Sequence, residues 1–157
     1  MIIKSESKQT TISKKVSLKG VGLHTGLDVE INFIPAEINN GYTFRRIDLE
    51  GLPIIKADAN LVTNTQRGTC LEKNGVTIQT CEHVLAALVG LEIDNVIIEL
   101  STSEPPIMDG SSKYFIEALE SAGSVEQEAF REVFVVKKKP FFFSLFLVIY
   151  VSSGRLS

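Results

Sequence analysis

The sequence predicts an α+β protein in which two helices pack on one face of a sheet. The first observation is strict alternation of apolar and polar residues at 27–33, the pattern of a half-buried strand. The second is helical spacing of apolar residues at 80–90 and again at 115–122. The third is the order of the elements, strands followed by helices with mixed connections, which favours α+β over a doubly wound sheet.

Composition excludes several classes of function. The 157 residues are enough to bury a core, and 44% hydrophobic with 22% charged residues is typical of a soluble globular protein. A net charge of -3 gives no general electrostatic attraction to nucleic acid or to an anionic membrane. The first ten residues lack the apolar segment of a signal peptide, and Cys70 and Cys81 provide no disulfide framework. We therefore expect a cytoplasmic protein without stable membrane insertion.

The first half of the chain is predicted to be mostly strand. Residues 11–18 alternate well enough for a first strand, and the run at 27–33 is stopped by Pro35. Asn-Asn-Gly at 39–41 predicts a turn, after which residues 42–49 form the partner strand of 27–33. The inward-facing residues of the alternating run are Leu27, Val29, Ile31 and Phe33.

Two features of this half have more than one interpretation. The segment GVGLHTG at 20–26 lacks the Gly-Lys-Ser/Thr of a phosphate loop and the glycine spacing of the dinucleotide fingerprint. Its spacing favours a tight connection that glycine permits, and the alternative is a loop that brings backbone close to a ligand and holds His24 at its edge. Arg45 and Arg46 are predicted to be exposed or ion-paired, with anion binding as the alternative.

A hairpin is predicted to lead directly into the first helix. Asn74 and Gly75 lie between two strand-like runs, 68–73 and 76–79. Asn-Gly is the strongest two-residue hairpin signal because both turn positions need positive φ. The chain then leaves the hairpin and begins a helix with Thr80 as its N-cap.

The first helix is predicted to be covered on both faces. No charged residue occurs between His83 and Leu91, and a helix that is apolar or small all round is normally buried on both sides. The polar pair Glu82 and His83 lies at the start of this helix. We expect both side chains to be partly shielded from water, where burial and neighbouring charges can shift their pKa values. On spacing alone a solvent-facing histidine is the simpler interpretation, because the inverted zinc-protease pattern needs histidine at Gln79. The core-facing stripe comprises Cys81, Val84, Leu85, Leu88 and Val89.

The last third contains one more strand, a turn and a second helix. Residues 95–100 alternate as a strand, and the segment 104–111 predicts a rigid turn. The second helix is predicted to end at Gly123. Residues 141–151 are almost all apolar but too few for a transmembrane helix, which needs about 20, and they fit a fully buried strand. The buried face of the second helix comprises Phe115, Ala118, Leu119 and Ala122.

Five motifs of the chain also occur together, and in the same order, in one known family. They are GVGLHTG at 20–26, GYTFRRID at 41–48, TCEHVLAAL at 80–88, GLEIDN at 90–95 and PIMDGS at 106–111. Taken together they resemble the N-terminal half of UDP-3-O-acyl-N-acetylglucosamine deacetylase, the zinc enzyme of lipid A synthesis. The likeness covers about residues 11–136, and five motifs in register are far more specific than any one of them.

The resemblance implies a fold, a substrate and three site residues. The fold would be the first half of a two-domain β-α-α-β sandwich. The substrate would be UDP-3-O-acyl-N-acetylglucosamine, a nucleotide-sugar glycolipid precursor that loses its N-acetyl group. By resemblance, His83 is a ligand of a catalytic zinc ion (Zn2+), Glu82 is the general base and His24 lies on the substrate side. Catalytic zinc takes three protein ligands and activates water. Residues implied to shape the site by capping and turn formation are Thr80, Asp109 and Ser111.

The chain departs from the family's pattern in its histidines and in its end. The family's other two zinc ligands, a histidine and an aspartate, belong to the second half, whereas this sequence has only His24 and His83. We therefore expect a deacetylase-like N-terminal domain at residues 1–126, followed at 127–157 by the start of a truncated second domain with an anomalous Phe-rich end. The alternative function is a catalytically incomplete half-module that needs the missing C-terminal half or another chain.

Overall fold

The computed structural model describes residues 2–65, 68–134, 141–144 and 147–150. The chain forms two units, one of Met1–Lys8 with Phe130–Ser157 and the other of Gln9–Ala129. The second unit contains both helices and all three predicted site residues. In the described part of the chain no helix is long and apolar enough to cross a membrane. The domain boundary predicted at residue 126 stays a prediction.

Strands dominate the described chain, and both predicted helices are present, which confirms the α+β fold class. The helices are α1 (Glu82–Gly90) and α2 (Lys113–Ala122), and a single 3-10 turn spans Ala59–Leu61. The strands are β1 (Ile2–Ile12), β2 (Val16–Val21), β3 (Asp28–Pro35), β4 (Tyr42–Arg46), β5 (Ile54–Lys56), β6 (Val62–Asn64), β7 (Cys70–Lys73), β8 (Val76–Ile78), β9 (Val96–Leu100), β10 (Ser124–Phe134), β11 (Phe141–Ser144) and β12 (Leu147–Tyr150).

The Phe-rich end holds two strands where the sequence predicted one. Strands β11 and β12 pair with each other antiparallel, with Phe141 opposite Tyr150 and Ser144 opposite Leu147. Residues 145, 146 and 151 of the predicted strand lie outside the described residues. Because the two strands pair with each other, the run folds back on itself rather than continuing as a single extended segment.

The largest sheet has five strands in the order β2-β3-β9-β4-β5. Strand β9 lies at its centre, antiparallel to β3 and parallel to β4, with Ile31 opposite Leu100 and Tyr42 opposite Val96. The prediction that β4 is the partner of β3 is therefore wrong. Val96, Ile98 and Leu100 of β9 are fully buried, and a central strand can pair its backbone groups on both sides without water.

The strand predicted at residues 11–18 is interrupted at Ser13. Strand β1 ends at Ile12 and β2 begins at Val16. Between them, the N–H of Ser13 donates to the carbonyl of Gly123 at 2.9 Å, and its hydroxyl donates to the carbonyl of Ala122. Carbonyls at the end of a helix have no partner within the helix. Ser13 donates to two such carbonyls at the end of α2, and the predicted strand is interrupted at this point.

One face of the five-stranded sheet is apolar and carries the helices. Val29, Ile31 and Phe33 of β3 are buried as predicted. Leu27 precedes the strand and is 57% exposed, contrary to the prediction. The ring of Phe33 meets the ring of Phe115 from α2 edge to face, with centroids 6.4 Å apart. Burial of each large apolar side chain contributes about 1.5–3 kcal/mol, so this layer holds α2 against the sheet.

Both arginines of β4 are ion-paired, as predicted. Arg45 lies on the polar face, with its Nη1 3.2 Å from Glu99 Oε1 on β9. Arg46 is largely buried and binds Asp48 through two hydrogen bonds of 2.8 and 2.6 Å. Its Nη1 also donates to the carbonyl of Thr77 at 3.0 Å, which ties the five-stranded sheet to β8.

Helix α2 has the predicted buried face and the predicted end. Gly123 follows it with φ of +70°, a conformation that glycine adopts without steric penalty, and its N–H donates to the carbonyl of Glu120. The buried residues of the helix are the predicted Phe115, Ala118, Leu119 and Ala122.

The predicted buried stripe of helix α1 is confirmed at Cys81, Val84 and Leu88, which are fully buried, and is wrong at Val89. Val89 is 64% exposed, and Ala87 is fully buried instead. Leu85, one turn before Val89, is partly buried and packs against the core. Ala86 and Gly90 are exposed on the helix as well. The prediction that a second layer covers the outer side of α1 stays a prediction.

The hairpin before α1 forms as predicted. Strands β7 and β8 pair antiparallel up to Lys73 opposite Val76. The two turn residues between them, Asn74 and Gly75, have φ of +53° and +77°. Both values are positive, which is the geometry that matches the twist of a two-residue hairpin. Strand β6 pairs with β7 and completes a three-stranded sheet.

Candidate active site

Helix α1 begins without a side-chain cap. Cys81 occupies the N-cap position, and its side chain makes no capping hydrogen bond. Thr80 has φ of +52°, a left-handed conformation that is rare for a β-branched residue. Its hydroxyl donates to Oε1 of Glu104 at 2.9 Å. The N-cap prediction for Thr80 is therefore wrong, because the hydroxyl binds Glu104 rather than the first turn of the helix.

One oxygen of the Glu82 carboxylate accepts a hydrogen bond, and the other has no partner among the residues that the structure describes. Its Oε1 accepts a hydrogen bond from the N–H of Thr69 at 2.7 Å. Its Oε2 is buried and has no hydrogen-bond partner among the described residues. Buried polar atoms are nearly always paired, so an unpaired carboxylate oxygen is suited to accept a hydrogen bond from a bound water or substrate.

Gly68 lets the chain approach this carboxylate closely. A Cβ atom at Gly68 would lie 3.1 Å from Oε1 of Glu82 and 3.3 Å from the hydroxyl oxygen of Thr80. The φ of Gly68 is +140°, which side chains rarely allow. The glycine therefore permits Thr69 to reach Glu82 with its backbone N–H.

Cys81 is a neutral, buried thiol. Burial, with a smaller contribution from the charge of Glu82, raises the pKa of Cys81 to about 12. Its sulfur lies 3.6 Å from the carbonyl oxygen of Thr69, to which the thiol donates. At neutral pH the protonated thiol of Cys81 is therefore a hydrogen-bond donor that anchors Thr69.

His83 follows Glu82 in the first turn of α1 and is partly buried. Its carbonyl accepts a hydrogen bond of 2.9 Å from the hydroxyl of Ser112, which joins the starts of the two helices. Imidazole nitrogen is a common zinc donor. Within the residues that the structure describes, no group of three or more His, Cys, Asp or Glu side chains is placed to hold a metal ion. The imidazole of His83 can provide one nitrogen donor, and its role as a zinc ligand stays a prediction.

The glycine-rich connection between β2 and β3 carries His24 at an exposed position. It closes on itself, because the N–H of Gly26 donates to the carbonyl of Gly22 at 3.0 Å. The N–H groups of His24 and Thr25 both donate to Oε2 of Glu104 at 3.0 Å. A Cβ atom at Gly22 would lie 2.7 Å from that same oxygen. This is the tight connection that the glycine spacing predicted, built around a carboxylate of the same chain.

Glu104 is the residue of this site that the sequence analysis missed. It is fully buried, and burial alone would raise the pKa of its carboxyl group. Hydrogen bonds from Thr25, Thr80 and His24 outweigh burial and hold the pKa below the ordinary value of 4.5. Its partners Thr80 and His24 lie 24 and 80 residues away in the sequence. No local pattern could have identified it beyond its place in a proline-rich turn.

The segment before α2 forms a hydrogen-bonded turn beside the glycine-rich connection. Oδ1 of Asp109 accepts from the N–H of Ser111 at 3.0 Å and from its hydroxyl at 2.7 Å. The Ser111 side chain lowers the pKa of Asp109. The N–H of Ile107 donates to the carbonyl of Val21 at 2.9 Å, which attaches the turn to β2. Asp109 and Ser111 form the turn expected of them.

The three predicted site residues are connected in two ways, by adjacency along the chain and by hydrogen bonds to Glu104. Glu82 and His83 are consecutive at the start of α1. His24 is connected to that helix through Glu104, which binds the backbone of His24 with one oxygen and the hydroxyl of Thr80 with the other. The catalytic, metal-binding and substrate-binding roles of the three residues stay predictions.

Comparison with known proteins gives a family match and many relatives. Residues 9–144 match the family model for LpxC, described as UDP-3-O-acyl N-acetylglycosamine deacetylase. A bifunctional enzyme LpxC/FabZ of Bacteroides thetaiotaomicron is 49% identical over 132 residues, which is 84% of this chain and 29% of the relative. The bifunctional enzyme LpxC/FabZ of Porphyromonas gingivalis is 46% identical over the same shares of the two chains.

A shorter relative carries the deacetylase name alone. The UDP-3-O-acyl-N-acetylglucosamine deacetylase of Xanthomonas campestris pv. campestris strain B100 is 47% identical over 132 residues, covering 84% of this chain and 44% of the relative. The chain therefore spans less than half the length of each of these three curated relatives. Since the family model matches most of the chain, the chain belongs to the UDP-3-O-acyl N-acetylglycosamine deacetylase family.

Proposed function

We propose that this chain supplies one half of the catalytic centre of a zinc-dependent hydrolase that removes the N-acetyl group from UDP-3-O-acyl-N-acetylglucosamine in lipid A biosynthesis. The observation that carries the proposal is the buried Oε2 of Glu82, which has no hydrogen-bond partner in the described part of the chain and lies next to His83 in the first turn of α1. The names of the relatives support the reaction and the substrate. The substrate is a nucleotide-sugar glycolipid precursor, and the proposed site of action is the cytoplasm.

Glu82 is the proposed general base. Hydrolysis of an amide requires a water molecule to lose a proton as it attacks the carbonyl carbon, and a positioned carboxylate accepts that proton. The hydrogen bond from Thr69 holds Oε1 and fixes the plane of the carboxylate. Oε2 is then the atom that accepts the proton of the water and holds it while the amide bond breaks.

His83 is the proposed zinc ligand of this chain. Zinc, when bound, supplies Lewis-acid polarisation of the amide carbonyl and lowers the pKa of water. A catalytic site takes three protein ligands, but the sequence has two histidines. The described residues contain no group of three ligating side chains. We therefore infer that two ligands come from a second half of the protein or from another chain.

His24 is the proposed substrate-side residue. Its backbone is fixed by Glu104, and its position is exposed, so a ligand can approach it. The second candidate function, a catalytically incomplete half-module, is favoured by the small number of ligating side chains. The two candidates differ in whether this chain hydrolyses the substrate alone or only when a second half is supplied.

The experiment that tests the first proposal uses a chimaera in which this chain replaces the matching part of the Bacteroides thetaiotaomicron relative. Glu82→Gln is expected to lower kcat about 10²- to 10⁴-fold while zinc content is retained, because a general base contributes a factor of that size. His83→Ala is expected to lose zinc. Glu72→Gln, an exposed carboxylate on β7, is the matched control and should keep full activity. Unchanged turnover in Glu82→Gln would refute the assignment of the base.

A further inference from the structure

Glu104 joins two segments that are far apart in the sequence. Its Oε1 accepts from the hydroxyl of Thr80 at 2.9 Å. Its Oε2 accepts at 3.0 Å from the N–H of His24 and at 3.0 Å from the N–H of Thr25. The hydroxyl of Thr25 adds a bond of 3.2 Å to the same oxygen. One fully buried carboxylate thus binds the glycine-rich connection on one side and, on the other, Thr80, two residues before α1.

The hydrogen bond between Thr80 and Glu104 affects the direction in which α1 begins. Thr80 adopts φ of +52°, which a β-branched residue keeps only when its surroundings enforce it. The hydrogen bond to Glu104 is such a constraint. Glu82 lies two residues after Thr80, so the peptide geometry at Thr80 determines where the Glu82 carboxylate points.

The glycine-rich connection also has a backbone that fits closely around the Glu104 carboxylate. Gly22 lies where a Cβ atom would be 2.7 Å from Oε2 of Glu104, so any side chain there would displace the carboxylate. Two successive backbone N–H groups converge on one oxygen, and such charge-assisted bonds are about twice as strong as neutral ones. The position of His24 is therefore set by Glu104 rather than by the loop alone.

We propose that Glu104 is a positioning residue of the deacetylase: it binds both the His24 connection and Thr80, which leads into α1, so that Glu82 and His24 keep a constant relative position. The inference rests on the proposed function for its catalytic meaning. Glu104 does not touch the reacting atoms in this role. It acts on Glu82 through Thr80 and on His24 through the backbone.

The test removes one hydrogen bond and leaves the carboxylate in place. Thr80→Val deletes the hydroxyl and keeps the shape, and Thr80→Ser keeps the hydroxyl. In the chimaera described above, Thr80→Val is expected to lower kcat about ten- to a hundredfold, the range that a small misplacement of a catalytic group produces, with KM within about twofold. Thr80→Ser is expected to restore kcat to within about threefold of the parent, since the bond to Glu104 is retained.

A cycle with Glu82→Gln separates positioning from a general loss of structure. If Thr80 acts through Glu82, Thr80→Val changes kcat less than about twofold once Glu82 is already Gln, because residues that act as a unit are non-additive. The same reduction by Thr80→Val in both backgrounds would overturn the inference while leaving Glu82 as the base. No loss of activity in Glu82→Gln itself would instead refute the proposed function.

A folding check keeps the result interpretable. The thermal midpoint of each variant of the 157-residue chain is measured by circular dichroism. If Thr80→Val does not fold, Thr80→Ala takes its place, because it removes the same hydroxyl without a branched side chain in the left-handed region. A folded variant that lacks the hydroxyl and keeps full kcat would overturn the proposal.

Discussion

Replacing Phe115 by alanine is expected to destabilise the protein more than any surface change on the same helix. Phe115 is 1% exposed, and its ring meets that of Phe33 at 6.4 Å with the planes at 74°. Removing a buried ring and leaving a cavity costs about 3–5 kcal/mol, of which the edge-to-face pair represents about 0.5–1.5 kcal/mol. With a urea dependence of about 1–3 kcal/mol per molar, the unfolding midpoint should fall by at least about 1 M.

The assay is equilibrium unfolding of the 157-residue chain in urea, followed by circular dichroism. Tyr114→Ala is the matched control, since Tyr114 precedes Phe115 on α2 and is 40% exposed. This substitution should lower the free energy of unfolding by less than about 1 kcal/mol. A double-mutant cycle of Phe33→Leu with Phe115→Leu should return a coupling of about 0.5–1.5 kcal/mol. A loss below about 1 kcal/mol for Phe115→Ala would refute the packing of α2 on the sheet.

Two further predictions concern the site. After dialysis against a mild chelator, the chain alone should retain far less than one zinc ion per molecule, because the proposed ligand His83 is one donor where three are needed. Metal analysis that finds one zinc ion per chain, lost in His83→Ala, would contradict this. The free energy of unfolding should fall as the pH drops below 4.5, because Glu104 has a lowered pKa in the folded state and takes up a proton more readily when unfolded. Glu104→Gln should reduce that pH dependence, and an unchanged slope would contradict the assignment.

The local elements could be predicted because their causes are local. Alternation along β3 places Val29, Ile31 and Phe33 on one face whatever the strand pairs with. The turn at Asn74 and Gly75 needs positive φ at both positions, and those two residue types accept it. The family could be predicted for a similar reason, because each motif is a short run of consecutive residues that is visible in the sequence.

Contacts between distant segments could not be predicted in this way. The sequence gives no sign that β9 enters between β3 and β4, because pairing depends on which strand can be buried on both sides. It likewise does not show that Ser13 leaves the sheet to bind the end of α2. In helix α1 the predicted stripe included Val89, and only tertiary packing decides that Ala87 is buried and Val89 is exposed.

The sequence by itself determined the fold class, the hairpin, both helices and the family, because these follow from periodicity, turn chemistry and motif spacing. It also pointed to Glu82, His83 and His24 as the site residues. Only the tertiary structure decided that Oε2 of Glu82 is buried with no partner within the described ranges, and that Glu104 connects His24 to the segment before α1. The physical reason is distance along the chain: a buried carboxylate needs several donors at once, and folding brings these together from segments up to 80 residues away.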